Sequence, residues 1–167
     1  MSRLGHLLFG SGLAILVTLT AFAAQAQTEA AAPSATAAGG LSASGVALTA
    51  GRVLLGQLFV IAGARKIANF AGTAARMTAY GLPAAELLLV PAIALEIGGG
   101  LALALDWHPE AAALALAAFT VPTTLVFHRF WAIPDAVAAL REQTQFLKNT
   151  AILGGLLTVV ASPGPGR

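Results

Sequence analysis

Two residues of opposite charge, Arg52 and Glu96, lie in stretches of this sequence that are otherwise apolar enough to span a bilayer. A single charge at mid-membrane costs roughly 2.5–3.5 kcal/mol on insertion scales, so such residues face a partner or a cavity. We therefore predict an intramembrane ion pair between Arg52 and Glu96. Two roles stay open for this pair: a structural clamp that fixes helix packing, or part of a functional cavity.

A second set of polar and aromatic residues falls at the inner ends of the apolar segments. The predicted inner-interface cluster consists of Lys66, His128, Trp131, Lys148 and Asn149. One interpretation is an ordinary membrane interface, where long cations reach for water and aromatic rings lie at headgroup level. The alternative is a pocket for an anionic headgroup or a quinone carbonyl, with His128 and Lys148 as hydrogen-bond donors.

Several chemistries find no support in the sequence. The chain has no cysteine, which excludes thiolate nucleophiles, disulfide exchange and cysteine-ligated clusters. We expect no metal site, because His6 falls in a leader segment and His108 on the side opposite His128. The triple glycine at positions 98–100 lies inside a predicted helix, so it is not a phosphate-binding loop.

Composition places the chain in the membrane class. Hydrophobic residues make up 57%, charged residues 10%, and the mean hydropathy is +0.82. A soluble domain carries about 25% charged residues, so this chain needs lipid to cover its surface. The net charge of +2 is too small for a nucleic-acid-binding protein, and the lipid bilayer is the partner that we predict.

The elements that position these residues are predicted to be all α-helical. Residues 1–26 have the pattern of a cleavable signal peptide, with an uncleaved anchor helix as the alternative. Residues 27–45 form a flexible tether. Residues 46–162 form a four-transmembrane-helix bundle, and residues 163–167 a short tail. The four predicted spans cover residues 46–64, 84–105, 111–127 and 147–162, the last being the shortest.

Charge asymmetry predicts the orientation of the bundle. Six basic residues fall in or beside the two predicted inner loops, whereas the outer loop at 106–110 has none. Under the positive-inside rule, the mature N- and C-termini therefore lie on the periplasmic side of a bacterial inner membrane. Each inner loop is also predicted to contain a short interfacial helix, one from Ile67 to Met77 and one capped by Asp135.

Helix geometry supports the predicted Arg52–Glu96 pair. Arg52, Gly56 and Gly63 share one face of the first span, and Glu96 shares a face with Gly100 on the second. Glycine lets two helices approach closely. Arg52 lies roughly 9 Å and Glu96 roughly 14 Å from the outer ends of the predicted spans, at about 1.5 Å per residue. We expect an arginine side chain to bridge that difference.

Five sequence pieces, in order and at similar spacing, resemble the DoxX family of small bacterial membrane proteins. They are RVLLGQLF at 52–59 with Gly63 and Lys66, the Met77-x-x-Tyr80-Gly-Leu-Pro83 turn, Glu96-x-Gly-Gly99, His128-x-Phe-Trp131, and Phe-Leu-Lys-Asn at 146–149. The resemblance covers residues 51–160. It implies a four-helix bundle, and Arg52, Lys66, Glu96, His128, Lys148 and Asn149 match polar motif positions of the family.

The resemblance also implies a role, since the family takes its name from a subunit of a thiosulfate:quinone oxidoreductase. Our first hypothesis is a quinone-linked redox membrane subunit without its own redox centre, which a partner oxidoreductase subunit supplies with electrons. The second is a non-catalytic scaffold or assembly factor for a partner enzyme, in which the Arg–Glu pair is purely structural. A small-solute transporter is a weaker third hypothesis, and the sequence predicts neither a catalytic residue nor an oligomeric state.

Overall fold

A computed structural model of the chain describes residues 43–162. The chain divides into two units, Met1–Gly40 and Leu41–Arg167, and every described residue belongs to the second. The predicted signal peptide (1–26), most of the predicted tether (27–45) and the tail (163–167) lie outside the described residues. The structure therefore addresses the predicted membrane bundle itself.

Between residues 43 and 162, every regular element is a helix. The chain order is α1 (Ala43–Ala68), α2 (Phe70–Ala79), α3 (Ala85–Ala104), α4 (Pro109–Phe127), a short 3₁₀ helix (Phe130–Ala132) and α5 (Ala136–Ala161). This confirms the all-α prediction. The first helix begins three residues before the predicted span and continues four residues beyond it, so the last residues assigned to the tether are helical.

Three segments are long and apolar enough to cross a membrane. They are Ala43–Ala68, Ala85–Ala104 and Pro109–Ala132, with mean hydropathies of 1.7, 2.0 and 1.6. The fifth helix has 26 residues but is not among these segments. Its first half carries Arg141, Glu142 and Lys148, which lower its mean hydropathy.

The prediction of a separate short helix after Pro134 is wrong in one respect. Asp135 does cap a helix, and its carboxylate accepts a hydrogen bond of 2.7 Å from the Ala138 amide. That helix does not stop before the predicted fourth segment, but runs without interruption to Ala161. No glycine or proline lies between residues 136 and 153 to end it.

The first inner-loop helix forms close to its predicted position, as α2. Its Ala74 and Met77 are buried against Ala85, Leu89 and Ile93 of α3. The chain then reverses at Gly81, whose φ of +85° favours glycine over any residue with a side chain. This turn brings α3 back against α2 and α1.

A leucine-rich core joins the later helices to α1. Leu103 of α3, Leu116 of α4 and Leu156 of α5 have no exposed surface, and Phe59 of α1 packs into the same cluster. Because the outer surfaces of these helices face lipid, this core contributes through van der Waals packing between helices and not through removal of apolar surface from water. This core sits on one side of the polar residues described below and fixes the helices that carry them.

Direct backbone contact sets the alignment of α1 against α3. A Cβ atom built on Gly56 would lie 2.4 Å from the Gly100 carbonyl oxygen, and one on Gly100 would lie 2.7 Å from that of Gly56. Any side chain there would push the helices apart. Farther along, a Cβ on Gly63 would lie 2.6 Å from Ile97. The two antiparallel helices are therefore in register along this seam.

Candidate functional site

Glu96 forms an ion pair with Lys66. The Lys66 Nζ atom lies 2.8 Å from each carboxylate oxygen, so it donates to both. Glu96 is 5% exposed, while the Lys66 side chain keeps 29% of its surface accessible. The lysine is thus the accessible member of the pair, and the carboxylate is held in the protein interior beneath it.

Arg52 pairs with a residue from the loop after α3. Its guanidinium donates to the Asp106 carboxylate at 3.0 Å and to the Thr49 hydroxyl at 3.4 Å. Asp106 has a φ of +60°, a left-handed conformation that aspartate tolerates better than most residues. The pair joins α1 to the α3–α4 loop. It lies at the end of the bundle opposite the C-terminal ends of α1 and α4.

The predicted Arg52–Glu96 pair is therefore wrong, because the two residues lie at different depths. The antiparallel Gly56–Gly100 contact places Arg52 level with Ala104 at the end of α3, eight positions beyond Glu96 and beside the loop that carries Asp106. Eight residues of helix span about 12 Å, farther than an arginine side chain extends. The prediction aligned the spans by their hydropathy limits, whereas α1 extends well past the end of α3.

Three residues of the predicted inner-interface cluster form contacts between or along the later helices. His128 Nδ1 lies 2.6 Å from a Glu142 carboxylate oxygen, which links the end of α4 to α5. The Asn149 amide donates to the Thr124 hydroxyl at 3.0 Å, which makes a second link between these helices. Lys148 donates to Gln145, one turn earlier on α5.

A cavity of about 900 Å³ collects most of the predicted site residues. Glu96 and Lys66 lie on its wall together with His128, Lys148 and Asn149. All five helices contribute to the lining. The structure thus brings part of the first predicted site and most of the second into one place.

The cavity wall combines an apolar part with a cationic part. Apolar side chains include Leu58, Phe59, Leu89, Phe119 and Ile152, and the basic residues are Arg65, Lys66, Arg76 and Lys148. Glu96 is the one carboxylate in the lining, so the described wall carries a net positive charge. Such a cavity suits an amphiphilic ligand whose polar part is an anion or a hydrogen-bond acceptor.

Trp131 and Arg52 are the two predicted site residues that do not line the cavity. Trp131 is 58% exposed and packs edge-to-face on Phe130 and Phe146, with ring centroids 5.1 and 6.0 Å away. An exposed aromatic ring beside basic residues is typical of a membrane interface.

Sequence reasoning missed the two carboxylates that pair with its candidate residues. Asp106 is the partner of Arg52, and Glu142 that of His128. A signal for Glu142 was present, since Asp135 and Glu142 are the two acidic residues between Arg129 and Lys148. Arg76 and Gln57 of the cavity wall were not among the predicted site residues either, although Gln57 lies within the piece RVLLGQLF at 52–59.

Comparison with known proteins identifies the family. The DoxX family model matches residues 47–129. This range includes both partners of the Arg52–Asp106 pair and both partners of the Lys66–Glu96 pair. The chain belongs to the DoxX family. The resemblance predicted from the five sequence pieces is confirmed.

Two relatives of this DoxX protein are inner membrane proteins of Escherichia coli K12. Inner membrane protein YqjF is 40% identical over 121 residues, which is 72% of this chain and 86% of the relative. Inner membrane protein YphA is 29% identical over 122 residues, covering 72% and 85%. No solved structure matches the chain. Together with the three apolar helices, these relatives establish a multi-pass inner membrane protein.

Proposed function

We propose that this DoxX protein is the quinone-binding membrane subunit of a redox system, and that the quinone head occupies the cavity beside Lys66. The observation that carries the proposal is the cavity of about 900 Å³, where an apolar wall meets lysine, histidine and asparagine side chains. Ligand pockets of small molecules are typically about 300–1,000 Å³ and mostly apolar, with a few convergent polar groups.

The residues present fit a quinone in two respects. A quinone head offers two carbonyl acceptors, and the Nζ atoms of Lys66 and Lys148 can donate to them, as can the ring of His128 in a suitable tautomer. The isoprenoid tail needs an apolar exit to the bilayer, and the half-exposed Leu54, Ile61 and Leu88 provide one along the wall. Lys66 remains anchored by Glu96 while its exposed side faces the cavity.

A bound quinone would supply two-electron chemistry that the side chains of this chain do not provide. In this proposal the protein binds and orients the head, excludes water with its apolar wall, and leaves electron delivery to a partner oxidoreductase subunit. The membrane relatives and the family resemblance support this arrangement.

Tryptophan fluorescence offers a direct test, because the chain has two tryptophans, Trp107 and Trp131, at opposite ends of the bundle. We would titrate a short-chain ubiquinone analogue into Trp107→Phe, which keeps the ring three residues after His128. Saturable quenching is expected there. In Trp131→Phe, which keeps the distant ring, quenching should rise only linearly with the quinone that partitions into the micelle.

Substitution of the proposed donors gives the matched comparison. In the Trp107→Phe background, Lys148→Ala or His128→Ala should weaken quinone binding about tenfold, the cost of one hydrogen bond from a charged or strongly polarised donor. Arg141→Ala, which removes an exposed cation outside the cavity, should leave it unchanged. Equal, unsaturable quenching in both single-tryptophan proteins would show that this cavity does not bind quinone.

A scaffold without catalysis is the second candidate, and a specific observation favours it. Among residues 43–162, no buried side-chain nitrogen or oxygen lacks a hydrogen-bond partner. The contacts of the polar cavity residues are therefore sufficient for a purely structural role, in which they hold helices together. These residues are Lys66, Glu96, His128 and Asn149. A variant such as Lys148→Ala separates the two candidates. If it loses bound quinone but still assembles with the partner enzyme, the polar residues serve quinone binding. If it never binds quinone and loses assembly, they serve the scaffold.

We also propose that α5 is a fourth membrane span and that the end carrying most of the basic residues faces the cytoplasm. The second half of α5 is apolar, and its Leu156 and Val159 are buried against the other helices. The term basic end is used below for this end of the bundle, which carries Arg65, Lys66, Arg76, Arg129, Arg141 and Lys148. The positive-inside rule supports its cytoplasmic placement.

A further inference from the structure

Two arginines from different parts of the fold share one tyrosine ring at the basic end. The Arg76 guanidinium carbon lies 5.7 Å from the centre of the Tyr80 ring, and that of Arg129 lies 5.8 Å from it. Tyr80 is itself held by an edge-to-face contact with Phe127, at 5.1 Å between centroids. The ring therefore positions both cations through exposed cation–π contacts.

Neither arginine is paired with a carboxylate of the described helices and loops. Within the described range 43–162, no carboxylate lies within 4.0 Å of Arg76 or Arg129. The acidic groups at this end serve elsewhere or point into solvent: Glu96 binds Lys66, Glu142 binds His128, Asp135 caps α5, and Glu86 is exposed. Two like charges held near one ring repel each other, and an anion placed between or beside them would offset that repulsion.

We propose that Arg76, Tyr80 and Arg129 form a binding site for the phosphate of an anionic phospholipid. Arginine guanidinium groups donate paired hydrogen bonds to phosphate, and both side chains are exposed. Arg76 lies on α2, and Arg129 lies two residues after the end of α4. At that level a membrane-spanning helix ends and the lipid headgroups begin. The site belongs to the class of basic pockets between helices that bind lipid headgroups.

The surroundings of the site accommodate an acyl chain. Leu82, Leu88 and Phe127 line the same cavity as Arg76 and offer apolar surface to an acyl chain. Arg129 does not line this cavity. Of the three residues in the proposed lipid site, Arg76 is the one that lines the cavity, and the lipid proposal rests on the Tyr80 contacts and not on quinone binding.

Native mass spectrometry of the purified full chain tests the proposal. Palmitoyl-oleoyl phosphatidylglycerol should bind more tightly than the matched phosphatidylcholine, whose headgroup carries no net charge. In the double variant Arg76→Gln/Arg129→Gln, phosphatidylglycerol binding should weaken by about tenfold or more, since charge-assisted hydrogen bonds are lost. Arg141→Gln removes a basic-end cation away from Tyr80 and should retain the wild-type preference.

Two further arms distinguish a specific headgroup site from general attraction to positive charge. Tyr80→Leu removes the shared ring and keeps both charges, and it should reduce phosphatidylglycerol binding, whereas Tyr80→Phe should not. Inorganic phosphate at millimolar concentration should fail to displace the lipid. Equal binding of the two lipids to the wild type would overturn the proposal, as would an equal loss in Arg141→Gln. Displacement by free phosphate would assign the site to a soluble anion instead.

Discussion

Single residues in this protein differ widely in what their charges contribute, and burial decides the difference. Glu96 is 5% exposed, so its carboxylate depends on Lys66. Removing one partner of a buried pair leaves an uncompensated charge in a medium of low dielectric constant. Asp106 has a side chain that is 39% exposed, and water can replace its partner Arg52. The two ion pairs should therefore respond unequally to mutation.

A double-mutant cycle measures this inequality. For Lys66→Met and Glu96→Gln, we expect a coupling of about 1–3 kcal/mol in the free energy of unfolding, from unfolding in mixed micelles. The cycle of Arg52→Met and Asp106→Asn should give about 0.2–1 kcal/mol, the range of exposed pairs. Arg65→Met is the control for Lys66→Met, because it removes the adjacent exposed cation, which has no salt bridge within the described helices.

The same measurements bear on the pairing that the sequence predicted. Arg52→Met and Glu96→Gln should be additive within about 0.5 kcal/mol, because residues without a shared partner act independently. A coupling between these two residues larger than that between Lys66 and Glu96 would contradict the ion pairs described here.

At the scale of helices, α1 and α3 are held together by the absence of side chains. Gly100→Ala would place a methyl group 2.7 Å from the Gly56 carbonyl oxygen, and the neighbour is backbone that cannot rotate away. We expect a loss of about 1–3 kcal/mol in the free energy of unfolding, as for other overpacked sites. A thermal or SDS unfolding series of the purified protein measures it.

The adjacent glycine triplet supplies its own control. A Cβ on Gly98 meets nothing within 4 Å, so Gly98→Ala should be neutral, or stabilising by up to about 1 kcal/mol through helix propensity. Equal sensitivity of Gly98 and Gly100 would mean that the contact between α1 and α3 is not what makes Gly100 necessary.

Hydrophobic pattern was sufficient to predict the helices but not their alignment. The spans at 46–64 and 111–127 each fall within a helix, and the span at 84–105 exceeds α3 by one residue at each end, because apolar length alone determines such a segment. Glycine at positions 56, 63 and 100 also indicated the faces that meet. How far one helix is displaced along the other depends on interatomic contacts such as Gly56 to Gly100, which no periodicity contains. That displacement explains why Arg52 and Glu96 were paired wrongly.

At the scale of the whole molecule, polar residues are concentrated at the basic end. Four of the five residues in the predicted inner-interface cluster line one cavity, and Glu96 joins them through Lys66. The sequence could indicate the cluster because chain ends of successive antiparallel helices meet at one level of a bundle. It could not indicate that Glu96 belongs there, since that depends on the same helix displacement.

The proposed topology can be tested with single cysteines, because the chain has none of its own. A membrane-impermeant maleimide added to intact spheroplasts should label Trp107→Cys, at the end opposite the basic residues. Gln143→Cys, on the exposed basic-end part of α5, should react only after the membrane is permeabilised. The reverse pattern would show that the basic end faces the periplasm, against the charge asymmetry.

Ser162→Cys then decides whether α5 crosses the membrane. Ser162 directly follows α5, whose 26 residues extend about 39 Å at 1.5 Å per residue, enough to span the hydrocarbon core. If α5 is a fourth span, this cysteine reacts in intact spheroplasts like Trp107→Cys. Labelling like Gln143→Cys would mean that α5 stays on the basic side and that three helices cross.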